Sequence, residues 1–132
     1  MESFLKNVIE GNGITPPDAC IRAFSQNFDG AVNAEWLERN GFYEVSFYRH
    51  NIEHIAVFDS NGYLAEYIQN LAAEFLPVHI TDIAKEKGEI MNALLRNRGN
   101  HIEYEVIIRD SNLVRYMLIF SDIGHMVSET RL

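Results

Sequence analysis

Positive charge, cysteine and long hydrophobic runs are all scarce in this sequence. The single cysteine, Cys20, excludes an intrachain disulfide, and we interpret it as a small apolar core residue rather than a nucleophile. Eleven Lys and Arg residues stand against nineteen Asp and Glu, for a net charge of −8, and they form no basic cluster. This charge pattern argues against nucleic-acid binding. The absence of any run of about 18 apolar residues argues against a membrane span.

The first thirteen residues lack the basic start and the apolar centre of a signal peptide. As it stands, the sequence therefore predicts a non-exported, cytoplasmic protein. Within this segment Phe4, Leu5, Val8 and Ile9 have the spacing of one or two amphipathic helical turns, although a frayed tail is equally compatible with it. We treat residues 1–13 as an N-terminal tail.

The rest of the chain contains the same pattern twice. Tyr43-Glu44-Val45 and Tyr104-Glu105-Val106 lie 61 residues apart, whereas Ala56-Val57-Phe58 and Leu118-Ile119-Phe120 lie 62 apart, so one residue is gained between them. With 47% hydrophobic residues, the 132-residue chain is sufficient for one packed domain. We therefore predict a single domain over residues 14–132 that consists of two repeats, at about 14–71 and 76–132.

Each repeat is predicted to contain one helix and four antiparallel strands. The side chains of residues 42–49 alternate between two chemically different faces, as in a strand. Asn40-Gly41 and Ser60-Asn61-Gly62 are typical of hairpin turns. The predicted helices lie near 16–28 and 77–87, and the predicted strands near 31–39, 42–49, 52–59, 63–69, 89–97, 102–109, 113–121 and 125–130.

Two segments require a choice between local signals. At the first helix, Thr15 is a good N-cap, proline suits the first helical position and Asp18 sits where a capping-box acid would be. Residues 89–97, with Met91, Leu94 and Leu95, have a higher helix than strand propensity, but the repeat places a strand there. We favour the strand, because a glycine precedes the corresponding segment in each repeat.

Residues 50–54, His-Asn-Ile-Glu-His, match the H-x-x-E-H signature of inverted zinc peptidases. Such a site needs both histidines one helical turn apart on one face, so that both rings reach the same ion. The strand prediction instead places His50 and Asn51 at a hairpin tip and points His54 to the apolar face. We therefore interpret the match as coincidental.

Other signatures of catalysis are missing. The sequence contains no glycine-rich phosphate loop and no nucleophile elbow. The remaining histidines, His79, His101 and His125, lack ligand spacing, and the alternating acids Glu103 and Glu105 are typical of a solvated strand face. The sequence therefore predicts a protein that is not an enzyme and that has no catalytic, cofactor-binding or metal-binding residues.

The order of these features resembles a known family. It runs from a helix that starts at proline, through Trp36, the strand 43–47 and the segment 57–62, to Leu76-Pro77 and the second Tyr-Glu-Val. Over about residues 14–132 the chain resembles the PepSY-like, β-lactamase-inhibitor-like proteins common in Bacteroidetes. It departs from them in two respects. Family members are usually exported to the periplasm behind a signal peptide, and residues 121–124 replace their typical Asp-x-Asn-Gly turn.

The resemblance implies an α+β fold. Two units of helix plus four-stranded antiparallel meander would join into one curved antiparallel sheet of about eight strands, with the helices on one face. The other face would be open and concave, and in the inhibitors that surface grips a protein partner. The resemblance carries no catalytic residue with it, and fold alone does not determine function.

Strand alternation assigns side chains to the two faces of the predicted sheet. We assign the apolar face to the helices and Trp36 to the core; that face consists of Tyr43, Val45, Phe47, Ala56, Phe58, Tyr104, Val106, Tyr116, Leu118 and Phe120. The opposite face mixes charge with Tyr, Ile and Met, as protein-binding surfaces do. This candidate partner-binding face consists of Glu44, Ser46, Tyr48, Glu53, Glu105, Ile107, Arg109, Arg115 and Met117.

We therefore expect a non-catalytic binding module of unknown partner, and inhibition of a peptidase or another hydrolase is the specific role that the resemblance suggests. Two alternatives stay open. A small-ligand-binding or enzymatic domain would have a deep enclosed pocket with converging polar groups on the curved sheet. A homodimer would form through the open face or an edge strand. Neither nucleic acid nor a membrane is expected as a partner.

Overall fold

Tight turns and side-chain alternation organise the described part of the chain, residues 14–132 of this computed structural model. The predicted N-terminal tail and its amphipathic spacing lie outside the described residues. The eight strands form one antiparallel sheet in chain order, which makes the fold α+β, and the predicted order of helices and strands is confirmed. In chain order the elements are helix α1 (Asp18–Asn27), strands β1 (Val32–Arg39), β2 (Phe42–Arg49), β3 (Ile52–Phe58) and β4 (Leu64–Leu71), a 3-10 turn (Ala73–Phe75), helix α2 (Val78–Lys87), and strands β5 (Glu89–Arg98), β6 (His101–Arg109), β7 (Arg115–Ser121) and β8 (Met126–Arg131).

Two-residue turns connect β1 to β2 and β2 to β3. Asn40 and Gly41 have φ values of 53° and 81°, and His50 and Asn51 have φ values of 55° and 65°. A left-handed conformation at both central residues matches the natural twist of the flanking strands, so these turns fix which residues pair across each hairpin. The hairpins predicted at Asn40-Gly41 and at residues 50–51 are confirmed.

The turn between β3 and β4 is held by the side chain of Asp59 and docks onto α1. One carboxylate oxygen of Asp59 accepts the backbone N–H groups of Asn61 (2.9 Å) and Tyr63 (3.1 Å). Gly62 has φ 85°, and a Cβ atom there would lie 2.6 Å from the backbone oxygen of Ala19. Only glycine therefore permits both the left-handed turn and this close approach to the helix.

The turn between β7 and β8 achieves a similar geometry with different residues. Ser121 takes the place of the aspartate, and its Oγ accepts the backbone N–H of His125 at 3.2 Å. Gly124 has φ 89°, and a Cβ atom there would lie 2.8 Å from the His79 ring. The departure from an Asp-x-Asn-Gly sequence therefore leaves the turn itself intact.

Helix α1 begins two residues later than the sequence predicted. Its N-cap is Pro17, at φ −56° and ψ 148°, and the proline ring offers no hydrogen-bond acceptor. The prediction of a Thr15 cap is therefore wrong. The physical reason is the double proline, because the ring of Pro17 disfavours a helical conformation at Pro16. Helix α2 likewise begins directly after a proline, Pro77.

The described chain divides into two compact units, unit 1 up to Tyr67 and unit 2 from Ile68. In unit 1, Phe24 of α1 lies edge-on to Phe47, with 5.1 Å between ring centroids, and to Trp36, at 5.6 Å. Trp36 is thus a core residue, as predicted. The buried cluster of unit 1 consists of Cys20, Phe28, Val45, Phe47, Ala56 and Phe58.

Unit 2 has a separate core beneath α2. Ile80 and Ala84 of the helix are fully buried against the strands, and Tyr104 and Tyr116 pack at the margin of the cluster. The apolar strand face predicted from alternation therefore forms the core in each unit. The buried cluster of unit 2 consists of Leu76, Ile80, Ala84, Ala93, Val106, Ile108, Leu118 and Phe120.

Residues 89–98 form strand β5, as we favoured. Ile90 pairs with Ile108 and Asn92 pairs with Ile107, so Met91 is an extra residue in a β-bulge. Because of the bulge, the core-facing residues Ile90 and Ala93 are three positions apart instead of two, which is a spacing found in helices. The ambiguity of the segment came from the helix propensity of Met91, Leu94 and Leu95, which pairing with β6 overrides.

Candidate protein-binding faces

The H-x-x-E-H motif spans a hairpin rather than a helix. His50 is exposed at the turn, whereas His54 on β3 is only 4% exposed. The His54 ring is stacked on Phe47, at 5.1 Å, and on Tyr67, at 5.7 Å, and its Nδ1 shares a 2.5 Å hydrogen bond with the Tyr67 hydroxyl. The two histidines therefore lack the shared helical face that the zinc-peptidase signature requires.

Burial changes the proton affinity of His54. The pKa of His54 lies below its ordinary value, chiefly because burial disfavours the charged ring. The backbone of Arg49 partly offsets this effect, while the charges of Arg49 and His50 add to it. Burial also raises the pKa of the Tyr67 hydroxyl. His54 is thus a neutral core side chain with a hydrogen-bonding partner.

Cys20 is a core residue, as predicted. It is fully buried, and its thiol donates a hydrogen bond to the backbone oxygen of Asp59 at 3.1 Å. Burial, reinforced by the negative charge of Asp59, raises the pKa of the thiol. A raised pKa disfavours the thiolate, which is the nucleophilic form, so the surroundings of Cys20 suit packing rather than reaction.

The four predicted face residues of unit 1 lie on two neighbouring strands. Val45 and Phe47 point toward α1, so Glu44, Ser46 and Tyr48, which alternate with them, point away from the helix. On β3, Glu53 lies directly opposite Tyr48. We call the surface of unit 1 that points away from α1 the unit 1 open face.

Strand β1 contributes two residues to the unit 1 open face that the sequence prediction omitted. Glu35 lies opposite Ser46, and Leu37 lies opposite Glu44. Alternation around the core residue Trp36 would have identified both of them. Their inclusion makes this face broader and more acidic than predicted.

A cavity of about 320 Å³ opens on the unit 1 open face. Its apolar walls include Phe42 and Val57, and Glu44 and Glu66 also line it. Arg39 also lines it, with 3.7 Å between its guanidinium and the Glu44 carboxylate. Because Phe42 is 43% exposed and the Arg39 side chain is 69% exposed, the cavity is a surface depression rather than an enclosed chamber.

The five predicted face residues of unit 2 lie on β6 and β7. Ile107 is directly opposite Met117, and Arg109 is directly opposite Arg115. Glu105 continues the same face along β6. Ile107 and Met117 are half-buried, and Arg115 is exposed. We call the surface of unit 2 that points away from α2 the unit 2 open face.

Strand β5 adds the ion pairs of the unit 2 open face. Arg96 donates a 2.7 Å hydrogen bond to Glu105, and both side chains are mostly buried. Arg109 donates a 3.1 Å hydrogen bond to the more exposed Glu89. Arg96 and Glu89 were missed by the sequence analysis, because β5 was the ambiguous segment and its bulge hid the alternation.

Arg115 differs from its neighbours in charge compensation. Among residues 14–132 it has no carboxylate within ion-pair distance, although it stands directly opposite Arg109. Like charges directly opposite each other on a sheet are unfavourable. The unit 2 open face therefore presents an exposed, uncompensated cation beside the apolar pair of Ile107 and Met117.

Solved structures with the same architecture come from Bacteroides. A BLIP-like protein from Bacteroides fragilis superimposes with a TM-score of 0.76 at 19% identity, over 91% of this chain and 89% of that chain. A DUF2874 family protein from Bacteroides ovatus gives a TM-score of 0.78 at 15% identity, over 90% and 89% of the two chains. The chain has the BLIP-like fold. The predicted resemblance is thereby confirmed for the fold.

A third solved structure shares this architecture. It is a candidate periplasmic protein from Bacteroides eggerthii, with a TM-score of 0.79 at 12% identity, over 89% of this chain and 90% of that chain. The prediction of a cytoplasmic protein has no support among these relatives. No protein-family model and no curated protein matches the sequence. Neither helix within residues 14–132 is long and apolar enough to cross a membrane.

Proposed function

We propose that this chain is a non-catalytic protein-binding module that contacts its partner through the two open faces. The observation that carries the proposal is the contrast between the two sides of each unit. One side of the strands is filled by its helix and the buried cluster. Within residues 14–132, the other side has no helix of its own unit over it, yet it presents Tyr, Met, Ile and Arg side chains.

The composition of the unit 2 open face favours a protein as the partner. Ile107 and Met117 form an apolar centre, and the ion pairs of Arg96 with Glu105 and of Arg109 with Glu89 join β5 to β6 on the same face. An apolar centre with a polar surround is the usual anatomy of a protein interface. The uncompensated Arg115 adds a residue type that is enriched among binding hot spots.

The unit 1 open face contributes a second anchor of a similar kind. Tyr48 is 42% exposed, and its register partners Val32 and Glu53 are exposed as well. Tyrosine combines a large apolar ring with a hydroxyl group, which makes it a frequent anchor in interfaces. We therefore assign partner contacts to Glu44, Ser46, Tyr48 and Glu53 in unit 1 and to Glu105, Ile107, Arg109, Arg115 and Met117 in unit 2.

We also propose that the single domain over residues 14–132 arose as a tandem repeat of one helix and a four-stranded meander. The paired core residues support this idea, because Val45 opposes Ala56 in unit 1 as Val106 opposes Leu118 in unit 2. The connecting turn contains two residues, 50–51, in unit 1 and three, 111–113, in unit 2, which accounts for the one-residue change in repeat spacing.

A more specific role, which we propose on the strength of the BLIP-like relative, is inhibition of a peptidase or another hydrolase. The periplasm is the compartment that we propose, since one relative is a candidate periplasmic protein. The cavity on unit 1 has the size of a small-ligand site, but its exposed lining favours contact with a side chain of a protein over enclosure of a substrate.

The test combines affinity capture with matched variants. Immobilised protein is incubated with native lysate, and the captured proteins are compared between wild type, Tyr48→Ala, Arg115→Ala and the control Arg22→Ala. Arg22 is an exposed arginine on α1, away from both open faces. We expect a partner whose recovery falls at least fivefold with Tyr48→Ala or Arg115→Ala and not with Arg22→Ala.

Inhibition is then measured for the captured protein and for a panel of peptidases and other hydrolases. Equal capture by all four proteins would contradict the open faces as the binding surface. Catalytic turnover by the purified chain would contradict a non-catalytic role. A stable dimer in sedimentation that Tyr48→Ala or Arg115→Ala dissociates would identify a second copy as the partner.

A further inference from the structure

We propose that the cavity on the unit 1 open face binds a lysine or arginine side chain of the partner protein. The inference rests on the proposed function, because it assigns a chemistry to the partner at that same face. It adds a site, the depression lined by Phe42, Val57, Glu44 and Glu66, and a ligand class that the site recognises.

The walls of the cavity suit the two parts of a long basic side chain. Phe42 and Val57 supply apolar surface for the hydrocarbon stem, and the carboxylate of Glu44, which also lines the depression, is an acceptor for the charged head. The exposed ring of Phe42 also offers a face to a cation. A volume of about 320 Å³ is at the lower end of the range for ligand sites. The cavity therefore suits one inserted side chain better than a larger molecule.

The charge of the face favours a cation over an anion or a neutral group. Strands β1 to β3 place Glu35, Glu44 and Glu53 on the unit 1 open face, against the single cation Arg39 of these strands. Charge complementarity of this kind selects partners and directs their approach.

The chain already places one guanidinium at the edge of the cavity. Arg39 and Glu44 are 3.7 Å apart, and the Arg39 side chain is 69% exposed, so their ion pair is long and solvated. An exposed ion pair of this length contributes little free energy, so a guanidinium or ammonium group that enters the cavity can replace Arg39 at the Glu44 carboxylate.

The experiment is a titration of isotope-labelled protein followed by NMR. The probes are Nα-acetyl-arginine methylamide, the corresponding lysine derivative, and the citrulline derivative, which has the shape of arginine without its charge. We expect the arginine and lysine probes to cause saturable shifts of the Phe42 and Val57 amide signals at millimolar concentration. We expect the citrulline probe to bind at least fivefold more weakly.

Three variants locate the site. Glu44→Gln and Phe42→Ala should each weaken arginine binding by roughly two- to fivefold, the range for an exposed ion pair or cation–π contact. Glu86→Gln, at an exposed acid of helix α2 that does not line the cavity, should leave it unchanged. Thermal melting verifies that each variant is folded, and the comparison of arginine with citrulline on wild type needs no variant.

Equal responses to arginine and citrulline, or shifts that avoid Phe42 and Val57, would overturn the proposed cation site. That result would leave the protein-binding function standing if affinity capture still depended on Tyr48 or Arg115. Conversely, arginine binding in the cavity without any captured partner would support the site while removing the proposed function. The two proposals can therefore fail separately.

Discussion

Acidification should destabilise unit 1 through His54. The ring is only 4% exposed, lies against Phe47 and Tyr67, and has a folded-state pKa below the ordinary value of 6.5. Protonation would place a charge among aromatic rings, with Arg49 and His50 nearby and no carboxylate among the causes of the shift. Protonation would also make both ring nitrogens donors, so Nδ1 could only donate to the Tyr67 hydroxyl.

The direction of the effect follows from proton linkage. Because the folded-state pKa of His54 is lowered, the unfolded chain binds more protons as the pH falls below about 6.5. The free energy of unfolding should then decrease by at most about 1.4 kcal/mol per pH unit. If His54 stayed neutral throughout, the loss between pH 7.5 and pH 5 would reach roughly 2 kcal/mol. This contribution is fully present above the unfolded pKa and is lost on acidification.

Urea unfolding followed by tryptophan fluorescence measures this loss, because Trp36 is the only tryptophan and packs in the unit 1 core. Wild type is compared at pH 7.5 and pH 5 with His54→Phe and with the control His125→Phe, whose histidine is exposed. At pH 7.5, His54→Phe should lower the free energy of unfolding by about 1 kcal/mol, because its hydrogen bond with Tyr67 is lost. Between pH 7.5 and pH 5, the variant should lose up to roughly 2 kcal/mol less stability than wild type. An acid loss that is identical in wild type and His54→Phe would refute the reasoning.

Three further predictions concern turns and ion pairs, each measured by urea unfolding. Gly99→Ala should lower the free energy of unfolding by about 1–2 kcal/mol through left-handed strain alone, because a Cβ atom there meets no other atom. Gly62→Ala should lower it by more, because its Cβ atom would also collide with the backbone of Ala19. Equal losses would contradict the docked turn. Leu113→Asn should stabilise by up to about 1 kcal/mol, since Leu113 is 72% exposed at φ 65°, and a loss of stability would show that the leucine packs. Glu105→Gln should lower the free energy of unfolding by about 1.5–3 kcal/mol, because the ion pair of Glu105 with Arg96 is mostly buried. Glu89→Gln should lower it by less than about 1 kcal/mol, because the ion pair of Glu89 with Arg109 is more exposed. The reverse order would contradict this assignment.

The strands and the cores were predictable from sequence because their signals are local. Alternation around Val45 and Val106 identified the buried sides, and Asn40-Gly41 identified a hairpin whose backbone requires such residues. The face residues from Glu44 to Glu53 followed from the same alternation. Strand β5 was harder, because its residues favour a helix locally. The bulge at Met91, which no local signal announces, also shifts the alternation by one residue.

The cavity and the charge pairs were not predictable in the same way. Phe42, Val57 and Glu66 lie on three different strands, and they line one depression only because the strand registers bring them together. The pairing of Arg96 with Glu105, and the absence of an acid beside Arg115 within residues 14–132, likewise depend on which side chains face each other across strands.

By itself, the sequence determined where helices, strands and turns lie and which side of each strand is buried, because these properties depend on residues a few positions apart. Tertiary structure alone decided that a left-handed glycine must also admit the backbone of α1 at Ala19, that His54 is enclosed by rings rather than free to bind an ion, and that a cavity opens between strands. These features arise from contacts between residues distant in the chain, and their geometry exists only once the strands have paired and the helices have packed.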